Sequence, residues 1–274
     1  MITEPFMQRA FLAALLLTPL CGLLGVFVTA RKMAFFSDTI AHGALAGIAL
    51  GLWIGFTNLT IPMTIFSFIV AAAVLWLKQN TELLNDTIMA LLLSGSVAVG
   101  IVVLSVLKGH RREINSYLFG DILAVEPADV WLAAGLFGVG CIIVFSRLNA
   151  FALITAHEDL AHVAGIHVRG LNLLFIMLLT VTVAVSIRLL GIILVTSLLV
   201  IPAASARNLS RNLRQQLIGS FIIGILGGIG GIVLSYELDA PCGPAIVLVC
   251  IACFLASMLL GKVRGSSKAP VFEK

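Results

Sequence analysis

The chain has 274 residues, of which 60% are hydrophobic and 11% charged, with a mean hydropathy of +1.14. Ordinary globular chains carry about 25% charged residues, so this composition excludes a soluble domain. The net charge of +4 is no nucleic-acid signal, because the basic residues lie apart in short loops.

Apolar runs of membrane-spanning length recur from end to end and define an all-α, polytopic helical membrane protein. Roughly nine segments start near Phe11, Ser37, Ile61, Asp86, Ala128, Leu171, Leu189, Leu217 and Pro244. The first is read as a retained span, since it has only Arg9 ahead of it and outruns a signal-peptide core. The seventh, "LLGIILVTSLLVIPAASA", is short and holds Pro202, so it is expected to be broken or not to cross fully. Eight complete spans is then the alternative count. No linker or low-complexity tract interrupts the pattern, so residues 1–274 are expected to form a single transmembrane domain.

With nine crossings, 12 of the 17 Lys and Arg fall on one side, against Arg9, Lys108, Arg111, Arg112 and Arg188 on the other. The positive-inside rule then places the C-terminus in the cytoplasm. Of the five cysteines, Cys250 and Cys253 read C-x-x-C inside a lipid-length run with no second pair, which favours packing over metal or redox chemistry.

In "FFSDTIAHGALAGIALG", Asp38 and His42 stand at i and i+4, on one face of a helix. Ionisable side chains inside a span are costly and mark a polar path or a partner. A structural Asp–His hydrogen bond sealing two helices is the competing reading. Carboxylate plus imidazole suits zinc, manganese or iron(II), and two copies facing across a dimer axis would supply the four ligands that one chain lacks. Asp38 heads its segment and is expected near one end of the span. Gly43, Gly47 and Gly51 form a small-residue stripe just round this helix, suited to close helix packing. Gly224, Gly227, Gly228 and Gly231 form another, read as packing or an oligomer contact. Asp121, Glu237 and Asp239 lie in loops on the opposite side from the C-terminus, where they could guide cations inward or simply be solvated.

Residues 146–170 form an amphipathic, charged connection on the C-terminal side, too polar to span and suited to docking a partner. Its "HEDLAH" resembles a zinc-hydrolase motif. On one helix, however, His157 and His162 would lie about 140° apart, which defeats shared ligation. No phosphate-binding loop of the G-x-x-x-x-G-K-[ST] type occurs, and few buried acids are available to relay protons. A pump powered by a separate subunit fits better than an ion-coupled carrier, which needs more acids. An intramembrane enzyme is disfavoured because no nucleophile–base pair or complete ligand set is visible.

Five stretches, "RKMAFFSDTIAHGALAGIALG", "INSYLFGDILAV", "HEDLAHVAGI", "LLGIILVTSLLVIPAASARN" and "APCGPAIVL", together resemble the integral-membrane permeases of bacterial metal-ion ABC importers. The match covers nearly the whole chain and, through "FFSDTIAH" and "YLFGDILAV", is most similar to the zinc-uptake branch, ahead of manganese or iron(II). Ser37 stands where the family has glycine, and Ile40 where leucine is common. The resemblance implies an inner-membrane, multi-pass homodimer, not itself an enzyme, with two cytoplasmic ATPase subunits and an extracytoplasmic metal-binding protein. It places the transient path for Zn2+, the transported substrate, at Asp38 and His42, with no permanent cofactor. It places the ATPase-coupling helix at Glu158, Asp159, Leu160, His162, Gly165 and Ile166, headed by His157.

Overall fold

The computed structural model describes residues 5–107, 117–118, 120, 125–238 and 240–263. Eleven helices account for most of these residues. They are α1 (Pro5–Ala30), α2 (Phe36–Ile54), α3 (Thr60–Asn80), α4 (Asn85–Val106), α5 (Pro127–Ser146) and α6 (Leu148–Ala156). The rest are α7 (Glu158–Val163), α8 (Val168–Leu190), α9 (Ile192–Leu209), α10 (Leu213–Leu238) and α11 (Cys242–Val263).

Eight of them, all but α6, α7 and α9, are long and apolar enough to cross a membrane. At 1.5 Å per residue, the 19 to 26 residues of these helices reach about 30–40 Å, matching a hydrocarbon core of about 30 Å. The seventh apolar segment is the exception. It begins at Ile192 rather than Leu189, carries Pro202 within its 18 residues, and is the shorter apolar helix of the set. Leu189 and Leu190 complete α8, and Gly191 alone, at φ 86°, separates the two helices. That left-handed backbone suits glycine because it has no Cβ.

The helices pack as two groups. α2, α3 and α4 form one, α1, α9, α10 and α11 the other, and both α8 and α9 touch each group. α5 lies against α1. Most of α1, α2 and α8 is buried, whereas α3, α4, α5 and α11 expose most of their surface, as helices facing lipid or a second subunit do.

Small residues set the close approaches. A Cβ on Gly47 would come 2.7 Å from the Pro62 carbonyl oxygen, and one on Gly51 would strike the Pro62 ring. The stripe on α2 therefore seats α3. The glycines of α10 are spent on packing within the chain: Gly224 and Gly228 meet Thr18, Gly227 meets Cys250 and Gly231 meets Ile246. Polar side chains stitch the spans. Ser220 Oγ donates to the Gly22 carbonyl at 2.6 Å, and Thr39 Oγ1 donates to the Met89 carbonyl at 3.2 Å. Cys250 is buried and Cys253 half-buried, both as free thiols.

The 146–170 connection is not one continuous helix. It is two helices, broken at His157, whose extended backbone (φ −151°, ψ 102°) caps α7. The break has a packing cause. α6 turns inward and buries Phe151 and Ile154, while the polar α7 stays outside. The helix expected to dock a partner spans Glu158–Val163 only. Gly165, at φ 75°, and Ile166, whose N–H bonds back to the Ala161 carbonyl at 3.0 Å, form its closing turn.

Candidate functional site

α2 starts after a tight turn at residues 31–34. Arg31 N–H bonds to the Phe27 carbonyl and Met33 N–H to that of Val28, while Lys32 takes a left-handed φ of 54°. Ala, Leu and Ile then carry the helix to Ile54, where Gly55 ends it in the left-handed conformation. The Phe56 and Gly55 N–H groups bond to the Gly51 and Leu52 carbonyls, the paired closure of a Schellman cap.

Along this helix Phe36, Ser37, Thr39, Ile40 and Ala41 are buried, so Asp38 and His42 occupy the one partly open face of the first turns. Their side chains retain about a third of their exposure, and His42 Nε2 lies 3.8 Å from Asp38 Oδ1. That separation exceeds a hydrogen bond, so the pair does not form a tight seal. His42 Nδ1 is buried without a hydrogen-bond partner among the described residues. From α9, Thr196 Oγ1 donates to Asp38 Oδ1 at 3.4 Å. Thr196 and its neighbour Ser197 are half-buried and form the polar step in the apolar first half of α9.

The pair is incomplete as a metal site within one chain. Among the described residues, no group of three or more His, Cys, Asp or Glu comes together. Glu237 is exposed at the end of α10, remote in sequence from the pair. Asp121 and Asp239, also singled out for cation guidance, lie outside the described residues.

In the 146–170 connection, Glu158, Asp159, Leu160 and His162 are exposed. His157 precedes the helix rather than lying on it, so its pairing with His162 on one face does not arise. α7 is held from beneath by a small apolar cluster of Ile154, Ala161 and Val168.

Arg31 joins this loop to the start of α2. Its Nε donates to Thr155 Oγ1 at 3.1 Å and Nη1 to Asn172 Oδ1 at 2.9 Å. The guanidinium lies 4.6 Å from the Phe175 ring centre and 5.7 Å from that of Phe151, within cation–π range. Burial pushes its pKa down to about 10, against the pull of the Glu158 carboxylate, which raises it. The guanidinium thus stays charged at neutral pH.

An ion pair unforeseen from the sequence links α5 and α8: Arg188 Nη1 to Asp129 Oδ1 at 3.1 Å. Asp129 also caps α5, accepting the Glu126 N–H at 3.1 Å. Thr196, Arg31 and this pair share one reason for being missed, since each partner comes from a distant segment.

The comparisons with known proteins agree with this architecture. The high-affinity zinc uptake system membrane protein ZnuB of Haemophilus influenzae is 35% identical over 253 residues, 91% of this chain and 95% of that protein. The manganese transport system membrane protein MntC of Halalkalibacterium halodurans is 31% identical over 267 residues, 97% of this chain and 90% of that protein. The solved structure of PsaBC from Streptococcus pneumoniae in complex with Fab superposes with a TM-score of 0.81 at 26% identity, covering 96% of each chain. The ABC 3 transport family matches residues 3–261, and this multi-pass membrane chain belongs to that family of ABC transporter permeases.

Proposed function

We propose that this chain is the permease subunit of an ATP-driven zinc importer of the bacterial inner membrane, forming the translocation path as a homodimer. The observation that carries the reading is the Asp38–His42 pair on the partly open face of a helix whose first turns are otherwise buried. Its carboxylate and imidazole match the ligand preference of zinc and its neighbours, and the likeness to zinc uptake proteins supports zinc as cargo. Two chains would bring two Asp38 and two His42, four ligands for a passing ion. A separate ATPase pair docks at α7, and a metal-carrying protein delivers from the opposite face. Residues 146–170 serve as the coupling loop of a single permease domain whose C-terminus is cytoplasmic.

The test is radioactive zinc uptake with manganese competition, in cells expressing the chain with its ATPase and binding protein. Uptake that depends on Asp38 and ignores excess manganese is expected. The second reading, the same machine moving manganese or iron(II), rests on the likeness to a manganese permease. Suppression of zinc uptake by manganese favours that reading. Uptake that survives Asp38→Ala returns the pair to a structural role.

A further inference from the structure

A cavity of about 740 Å³ opens between the α1–α2 turn, the end of α3, the docking loop and the start of α8. Its charge is one-sided. Arg31, Lys32, Lys78 and Arg169 line it, and Glu158 is the one carboxylate among the lining residues. His162 and His167 add imidazoles.

Arg31 supplies the feature that separates this cavity from a merely basic surface. Two of its nitrogens are held by Thr155 and Asn172, which fixes the guanidinium plane. The third, Nη2, is buried and has no hydrogen-bond partner among the described residues. Buried charged donors are ordinarily satisfied, and a planar guanidinium fixed at Nε and Nη1 keeps the N–H groups of Nη2 for a phosphate or carboxylate oxygen.

The level of the cavity relative to the bilayer indicates the anion. Lys78 lines it from the last turn of α3, and Trp76, 63% exposed, lies on the same turn. An exposed Trp beside a Lys at the end of a lipid-facing span marks the headgroup layer. Leu75 and Leu173 add apolar wall next to the charges, and Leu173 is itself exposed. Basic pockets between spans at this level suit anionic lipids.

We propose that this cavity binds the phosphate of an anionic lipid headgroup, with Arg31 Nη2 as the buried donor and Lys78 and Arg169 as the flanking exposed charges. A headgroup seated there bridges the docking loop and the turn that leads into Asp38. A free phosphate ion offers the same oxygens, and the experiment separates the two sources. The site does not depend on which metal the chain carries.

The purified full chain in zwitterionic detergent is titrated with phosphatidylglycerol, phosphatidylcholine or inorganic phosphate at constant ionic strength, with thermal unfolding as readout. Phosphatidylglycerol is expected to raise Tm where phosphatidylcholine and phosphate do not. Lys78→Gln with Arg169→Gln should need roughly tenfold more of it, the effect of losing a charged hydrogen-bond partner. Lys78→Gln alone gives the same direction if the double variant fails to fold. Arg211→Gln, an exposed charge outside the cavity, should titrate as wild type. Protection by inorganic phosphate alone, lost in the same variants, assigns the site to a free anion. Equal protection by phosphatidylcholine, unchanged titration in the double variant, or an equal loss in Arg211→Gln overturns the proposal.

Discussion

Thr196 and His42 approach the same carboxylate oxygen: Asp38 Oδ1 accepts the threonine hydroxyl at 3.4 Å and lies 3.8 Å from the histidine Nε2. The carboxylate is therefore oriented from α9, across a helix boundary, while its contact with His42 stays too long to close. Such an arrangement holds the carboxylate in position without pairing it tightly to a neighbour. Thr196→Val keeps the shape and removes the hydroxyl. A hydrogen bond of this kind contributes about 0.5–1.5 kcal/mol, so the apparent KM for metal uptake should rise by about two- to tenfold. An unchanged KM means that Thr196 only packs.

The pair itself separates ligation from architecture. Asp38→Ala and His42→Ala remove side chains that are partly open, while the buried flank of α2 stays intact. Both are expected to abolish uptake yet leave expression and dimer formation at wild-type levels in size-exclusion chromatography. Loss of the dimer in both variants would favour the structural reading.

How far these features can be read from sequence follows from their range. Membrane-length apolar runs and an i, i+4 pair are local signals, so the spans and the Asp38–His42 face are legible in one pass. The end of α8 is not, because a hydropathy window averages across Gly191 and cannot see that one left-handed residue. The break at His157 is hidden for a related reason. Only the burial of Phe151 and Ile154 makes α6 part of the core rather than the surface. Arg31 counts in the sequence as one more basic loop residue, yet its partners Thr155 and Asn172 lie 124 and 141 residues away.

Gly47 tests the packing of α2 on α3. A side chain there meets the Pro62 carbonyl oxygen and the Phe66 Cβ, both at 2.7 Å, and backbone cannot step aside as a flexible side chain can. Gly47→Leu should cost at least about 1–3 kcal/mol, as overpacking does, and lower Tm in detergent. A Cβ on Gly95, on the exposed side of α4, would meet nothing within 4 Å, and Gly95→Leu should leave Tm nearly unchanged. Equal shifts in the two variants would refute the packing assignment.

The Asp129–Arg188 pair is asymmetric, with the carboxylate 6% and the guanidinium 39% exposed. Removing one partner of a buried pair is strongly destabilising, but solvent around Arg188 screens part of that cost. Asp129→Asn retains an oxygen for the α5 cap and should destabilise by about 1–2 kcal/mol. Arg188→Leu should do the same, and the double variant should cost less than the two added together. Strict additivity in chemical unfolding would show that the two residues act independently.

The proposed docking role of α7 follows from what its cluster does and does not bury. Ala161 anchors the helix to Ile154 and Val168, which leaves Glu158, Asp159, Leu160 and His162 exposed. Leu160 and Val163 are respectively 54% and 87% exposed, apolar surface on a helix too short to be stable alone. Charge beside exposed apolar side chains is the composition of an interface rim around a small core. Glu158→Lys with Asp159→Lys should weaken recovery of the ATPase subunit on co-purification, and Leu160→Asp should do so without altering the charge pattern by reversal. Neither change reaches the Ile154–Ala161–Val168 cluster, so the permease should keep its Tm and its dimer. Full recovery of the ATPase with both variants would remove α7 from the interface, while loss of the permease fold would place these residues in its own architecture.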